Sequence, residues 1–379
     1  MQRHQHLARE LSKYLPVIYM EETESWLKML ARGKPFDSSL NAWRRGLVEI
    51  QPNMFLFKTP PCSPRQFGYR KASKRTALND HRAISRFLPT DKKIILLVLS
   101  PYGVDAIGLY DEVLSVFDIF DNYGEFPGEE KIREIIRDAS EEAIGKADLV
   151  LATHEELREW ASGDNPNSVL LKNGCDPGHF KSGGVTPEPS ELLLDISTLP
   201  GPVIGYMGDI ADWMAWDCIT TAASRHPDWS FVLLGTWKRS HPQPSDMPNI
   251  YVPGRVSYET LPYYANQFTV GTIPFILNEL TRVVNPLKLY EYFSMGIPVV
   301  STPLPEIVEH EGLAYVAGTP DEFNALLEVA VREGPDAPVR EKRIDLAMRN
   351  SWQIRGEELR DLLVLNLEMK GDRLAEKET

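Results

Sequence analysis

A chain of 379 residues exceeds what one hydrophobic core serves well, so two domains of ordinary size with a cleft between them are expected. At 42% hydrophobic and 25% charged, without low-complexity segments, the composition excludes a disordered or fibrous chain, and no apolar run is long enough to span a bilayer. A formal charge of -13 argues against nucleic acid as a partner, because phosphate backbones select basic footprints.

The opening MQRHQHLARELSKYL is polar and helical rather than a signal peptide, which places the chain in the cytoplasm. A helix is expected near 3–14, then strands at 16–20 (PVIYM) and 54–57 (MFLF). Residues 58–93 hold ten Lys or Arg against only Asp80 and Asp91. This basic island reads either as a solvated helix face or as a peripheral contact with the inner face of a membrane or a phosphate-bearing acceptor. Strand-like IILLVLS (94–100) and VLSVFDIF (113–120) follow, then a helix near 129–146, DLVLAT (148–153), a short helix near 154–162 and SVLLKNG (168–174). Short apolar runs separated by helices signal a parallel sheet. A Rossmann-like domain ordinarily begins with a strand and a glycine-rich turn, whereas this chain starts inside a helix. The expectation is that the first strand is missing or the domain is built differently.

The stretch KSGGVTPEPSELLLDISTLPG (181–201) breaks periodicity and reads as a linker. The expected division is an N-terminal domain over 1–185, a C-terminal domain over 200–351, and a helix over 352–379 packing back on the first. The second half restarts with VIGYMG (203–208), a helix near 213–225, FVLLG (231–235), NIYV (249–252), a helix near 258–267, VGTIPF (270–275), a helix over 286–295, PVVS (298–301) and a helix near 320–333, a doubly wound pattern. Cys62, Cys175 and Cys218 are odd in number and far apart, so neither a disulfide framework nor a zinc cluster is expected. No Asp-x-Asp pair occurs, and no metal site is expected. Trp213, Trp216 and Trp237 default to core.

The strongest local signal is VGTIPFILNELTRVVNPLKLYEYFSMGIPVVST (270–302). Asn285 suits an N-cap, Pro286 the first helical position with Leu287 after it, and Gly296 a left-handed stop. The helix start, beside the carboxyl end of a parallel strand, is a place for a diphosphate. Lys288 and Glu291 share a face three residues apart. The lysine can neutralise diphosphate oxygens while the carboxylate accepts from vicinal ribose hydroxyls. The same spacing also describes an ordinary surface ion pair, worth ~0.3–0.5 kcal/mol.

NPLKLYEYFSMGIPVVST, together with VIGYMGDIADWMAWD, HPDWSFVLLG, VPGRVSYETLPYYANQF, VFDIFDNYGEFPG, ADLVLATHEEL and LKNGCDPGHF, resembles the GT-B glycosyltransferases of the group 1, GT4-like type. The likeness is to a bacterial teichuronic-acid and cell-surface polysaccharide subgroup, and it runs over residues 95–310. It implies an α/β fold of two Rossmann-like, doubly wound parallel-sheet domains facing an interdomain cleft. It also implies a nucleotide-diphosphate sugar, UDP- or GDP-linked, as co-substrate without a further cofactor, and a lipid-linked or saccharide acceptor. Carried over by position, Glu291 holds the donor ribose, and the first carboxylate of the family's acidic pair falls at Val283, a departure. Lys288 neutralises the leaving diphosphate with help from Arg282 and Arg255. Gly205 and Gly208 let backbone approach it. The base lies against Gly254, Arg255 and Val256, with Leu261 and Pro262 at its side. On the acceptor side stand Asp118, Asp121, Asn122 and His4, with Asp121 as general base; both aspartates also read as loop caps. Retention or inversion stays open. A sugar-nucleotide epimerase of the same fold and a non-catalytic nucleotide-sugar-binding subunit are the alternatives.

Overall fold

A computed structural model describes residues 2–21, 43–60, 70–126, 128–188, 190–238, 240, 247–334 and 337–377. The chain divides into two compact units, one of Met1–Lys172 with Arg355–Thr379 and one of Asn173–Ile354.

Unit 1 runs α1 (Arg3–Leu11), β1 (Val17–Glu21), β2 (Leu47–Gln51), β3 (Met54–Lys58), α2 (Arg70–Ile84), β4 (Ile95–Val98), β5 (Leu114–Ile119), α3 (Glu130–Lys146), β6 (Leu149–Ala152), α4 (Glu155–Ser162) and β7 (Ser168–Leu170). A four-stranded parallel sheet has the order β4-β5-β6-β7, and a separate three-stranded sheet has the order β1-β3-β2. Among the described residues the larger sheet adds its strands in one direction. β5 is buried along its whole length, which is why LSVFDI is apolar except at Ser115 and Asp118. The strand β2 was not expected. It pairs antiparallel with β3 through a tight turn in which Asn53 takes φ 60°, and three of its five residues are exposed. An edge strand with little burial carries no alternation to read.

Unit 2 runs α5 (Pro177–Lys181), β8 (Val203–Met207), α6 (Trp216–Arg225), β9 (Ser230–Leu234), β10 (Ile250–Gly254), α7 (Leu261–Ala265), β11 (Val270–Ile273), α8 (Leu287–Ser294), β12 (Val299–Ser301), α9 (Pro305–Val308), β13 (Tyr315–Val316), α10 (Pro320–Arg332) and α11 (Val339–Arg349). Its six-stranded sheet has the order β10-β9-β8-β11-β12-β13 and is parallel throughout. The order reverses between β8 and β11, the Rossmann arrangement, and the crevice outside the carboxyl ends of those two strands is where such sheets bind ligands. Trp213, Trp216 and Trp237 pack against the core of this unit, and Cys175 and Cys218 are buried in it; Cys62 lies outside the described residues.

The boundary falls at Lys172/Asn173, ahead of the linker expected over 181–201. The reason is packing that composition does not reveal. Cys175 N–H donates to Asn350 O at 2.9 Å, Phe180 is fully buried in the unit 2 core, and Val185 N–H donates to Glu259 O at 2.9 Å. The last helix, α12 (Trp352–Lys377), enters unit 1, where Leu359 and Leu363 are buried. Asn366 Oδ1 accepts from Asn167 Nδ2 at 2.6 Å, and Lys370 Nζ meets Asp148 at 2.7 Å. No helix among the described residues is long and apolar enough to cross a membrane.

Candidate functional site

The carboxyl ends of three adjacent strands in unit 2 finish in glycine. Gly208 after β8 takes φ 130°, and Gly254 at the end of β10 takes φ 106°, conformations open mainly to glycine. Between them, Gly235 after β9 lies so close that a Cβ there would stand 1.7 Å from Gly208 O, and its N–H donates to Gly254 O at 2.9 Å. The strand ends therefore form a ledge of bare backbone. Gly235 was missed from sequence, although a glycine directly after a buried strand was the available signal.

Over this ledge stands α8. Tyr292 fixes it to the sheet: its ring fills the space above Gly271, where a Cβ would meet it at 2.7 Å, and its hydroxyl accepts from Met207 N–H at 3.1 Å. On the other side Tyr290 O–H donates to the buried Glu306 at 2.7 Å. Gly296, at φ 73°, ends the helix as expected. So held, α8 sends Lys288 across Gly208, with Nζ 3.3 Å from where a Cβ on that glycine would be. The ammonium also lies 5.2 Å from the Tyr206 ring centroid and 4.7 Å from that of Phe275, a cation–π environment that a sequence reading does not disclose. Burial pulls the Lys288 ammonium down to about 8, against the opposing pull of Glu291 and Asp209. Burial pushes Glu291 up to about 7, opposed by Lys288. Among the described residues no ion pair within contact distance joins the two, so the surface ion pair that their spacing also allowed does not form.

The helix begins one residue later than expected: Pro286 occupies the N-cap position and Leu287 is the first helical residue. Asn285 is therefore not the cap. It is buried, its Oδ1 accepts from Asn173 N–H at 2.9 Å and its carbonyl accepts from Asn173 Nδ2 at 2.8 Å, which pins the approach to α8. The amide nitrogen of Asn285 is buried with no hydrogen-bond partner. By helix geometry the first N–H groups, on Leu287 and Lys288, have no acceptor within the helix and point beyond its amino end.

Gly205 has a different role from the one expected. A Cβ there would stand 2.0 Å from the Phe268 ring, so the residue is small for packing inside the sheet and does not bring backbone to a ligand. Arg282 is exposed and pairs with Glu279 at 3.3 Å. Arg255 is exposed after Gly254, and Val256 and Leu261 pack half-buried against the core, Leu261 opening α7 ahead of the buried Pro262. Val283 is buried, 4% exposed, in the loop before α8.

In unit 1 the two aspartates after β5 part company. Asp118 is buried in a two-point pair with Arg3, at 2.9 and 3.0 Å, while Arg3 also donates to Lys172 O at 3.1 Å. Its charge holds α1 against the sheet, which corrects its reading as an acceptor-facing group. Asp121 is half-buried with no such partner, and burial raises its carboxyl to about 7, opposed by Arg3. Asn122 caps the short turn Tyr123–Glu125. His4 stacks on Tyr19 at 5.9 Å and leans on Phe120 at 6.0 Å; burial lowers its pKa, opposed by Asp118. His4 thus contacts Phe120, the residue before Asp121, just past the carboxyl end of β5.

Residues 201–332 match the family of glycosyl transferases group 1. A Bacillus subtilis (strain 168) protein named as a teichuronic acid biosynthesis glycosyltransferase, TuaH, is 26% identical over 232 residues, 58% of this chain and 57% of that protein. The chain thus aligns with little more than half the length of this curated relative. Among solved structures, an E. coli trehalose-6-phosphate structure bound with UDP-2-fluoro glucose superposes with a TM-score of 0.66 at 11% identity, covering 96% of each chain. Anabaena HepE in complex with UDP and glucose gives 0.62 at 14% identity, again over 96% of each. The fold is that of the GT-B glycosyltransferases.

Proposed function

We propose that this chain is a glycosyltransferase that moves a sugar from a nucleoside diphosphate sugar to an acceptor hydroxyl, with unit 2 holding the donor. The observation that carries the reading is Lys288 laid across Gly208 at the point where the strand order reverses. A diphosphate there meets bare backbone, the amino end of α8 and one ammonium, which together offset the charge that grows on the leaving group. Glu291, one turn on, accepts from the ribose hydroxyls in its ionised form. The base lies along Gly254 and Val256. The UDP and UDP-sugar in the names of the two structural neighbours favour a uridine donor, and the relative named for teichuronic acid biosynthesis favours a saccharide acceptor, free or lipid-linked. Asp121 takes the acceptor proton in this scheme.

Where the family's first carboxylate would stand, Val283 is apolar and buried, so the donor sugar's hydroxyls are met without a side chain there. The same absence disfavours the epimerase alternative, which needs extra carboxylates about the sugar. A non-catalytic binder would bind nucleotide without turning over any sugar.

Calorimetric titration with UDP, UDP-sugars and GDP-sugars, followed by release assays on the tightest donor, tests the proposal. Lys288→Ala and Glu291→Ala should each weaken nucleotide binding by roughly tenfold or more, since charge-assisted hydrogen bonds contribute about 1.5–3 kcal/mol. Unliganded far-UV spectra should match wild type. Two variants that titrate like wild type would remove the site assignment.

A further inference from the structure

We propose that His179, on α5, is a positioning residue for the nucleobase: it clamps the loop after β10 so that the backbone of Arg255 and Val256 meets the base in one register. The proposal rests on the donor site assigned above to unit 2. The loop leaves β10 at Gly254 and ends where Leu261 opens α7. Among the described residues, the backbone N–H and C=O groups of Arg255 and Val256 have no hydrogen-bond partner. A uracil edge presents one N–H between two carbonyls, which free backbone groups of both kinds can match. A displacement of about 1 Å spoils such pairing, so whatever fixes the loop governs affinity for the base.

The next stretch of the loop is held from α5 and the chain that follows it. His179 Nε2 lies 2.9 Å from Tyr258 O, and since a carbonyl only accepts, Nε2 carries the proton and donates it to this bond. The same ring stacks on that of Tyr258, with centroids 4.2 Å apart and planes 15° from parallel. Beside it, Val185 N–H donates to Glu259 O at 2.9 Å. Gly184, at φ 65°, permits this approach, because a Cβ there would stand 2.6 Å from the same carbonyl. α5 is itself fixed: Asp176 Oδ1 accepts from His179 N–H at 3.0 Å, and the carbonyl of the fully buried Phe180 accepts from Asn266 Nδ2 at 2.9 Å. Two residues with free backbone groups, followed by two whose carbonyls are clamped, make a loop preorganised for a ligand. Val185 acts through its backbone, so His179 is the member of the clamp that a substitution can remove.

Wild type, His179→Phe and His179→Gln, each titrated with UDP and separately with inorganic pyrophosphate, test the proposal. Phenylalanine keeps a ring on Tyr258 and loses the donor, whereas the glutamine amide can still donate to Tyr258 O. His179→Phe should weaken UDP binding roughly tenfold, the worth of about one hydrogen bond. Pyrophosphate should stay within about twofold of wild type in the same variant, because Lys288 and the strand-end glycines meet it without the loop. His179→Gln should hold UDP within about threefold of wild type. A phenylalanine variant that binds UDP at wild-type strength would overturn the proposal, as would a glutamine variant no better than the phenylalanine one. So would an equal loss of UDP and pyrophosphate, which a general loosening of unit 2 produces. These outcomes leave the donor site standing; a wild type that binds neither probe would remove the donor site and this proposal with it.

Discussion

Three buried or half-buried charges with displaced pKa values carry the chemistry at the scale of single residues. Glu291 and Lys288 titrate near about 7 and about 8, so nucleotide binding has its required ionisation, carboxylate and ammonium together, only in the window between them. The sign follows from each shift: affinity rises with pH as Glu291 ionises, then falls as Lys288 loses its proton. Calorimetry across pH, without acceptor, should trace that bell, and Lys288→Arg should extend its alkaline side because a guanidinium keeps its proton. Asp121, held near about 7, enters only in turnover. Asp121→Asn should cut kcat by roughly a hundredfold or more with nucleotide affinity within about twofold of wild type. An unchanged kcat would release Asp121 from the role of base. The spacing of Lys288 and Glu291 was legible because a helix turn is local in sequence. The difference between Asp118 and Asp121 was not, since the partner that neutralises Asp118 is Arg3, 115 residues away.

At the scale of elements, unit 2 was legible where strands are buried on both faces, for VIGYM, SFVLL and VGTI are near-continuous apolar runs. β2 was not, having little buried surface to leave a pattern, and the start of α8 moved by one residue because Asn285 is taken up by Asn173. Two glycines of β8 and its following loop looked alike in sequence and differ in structure. Gly205→Ala would drive a Cβ into Phe268 and should cost about 1–3 kcal/mol or more of stability, with nucleotide affinity unchanged in the folded fraction. Gly208→Ala would meet an unfavourable φ, costing about 1–3 kcal/mol, and would press on Lys288 as well. It should therefore lose affinity about tenfold besides. Thermal melts paired with UDP titrations separate the two, and a Gly208→Ala protein that binds UDP like wild type would show that the diphosphate lies elsewhere.

For the whole molecule, the chain path makes unit 1 depend on both termini, because Leu7 and Leu11 of α1 and Leu359 and Leu363 of α12 are all buried in it. A linker rich in Gly and Pro suggested the division in sequence, yet composition cannot see Phe180 entering the unit 2 core, so the boundary was placed too late. If the units unfold separately, each should answer to its own perturbation. UDP at about 100 times its Kd stabilises the unit that binds it by ~2.7 kcal/mol, while Leu359→Ala costs about 2–5 kcal/mol in the other. Scanning calorimetry should then show two transitions, with UDP raising one and Leu359→Ala lowering the other. A single transition moved by both would mean that the two cores unfold as one cooperative body. In that case the donor affinity of unit 2 would depend on the packing of α12, and Leu359→Ala would weaken UDP binding at temperatures near the melt.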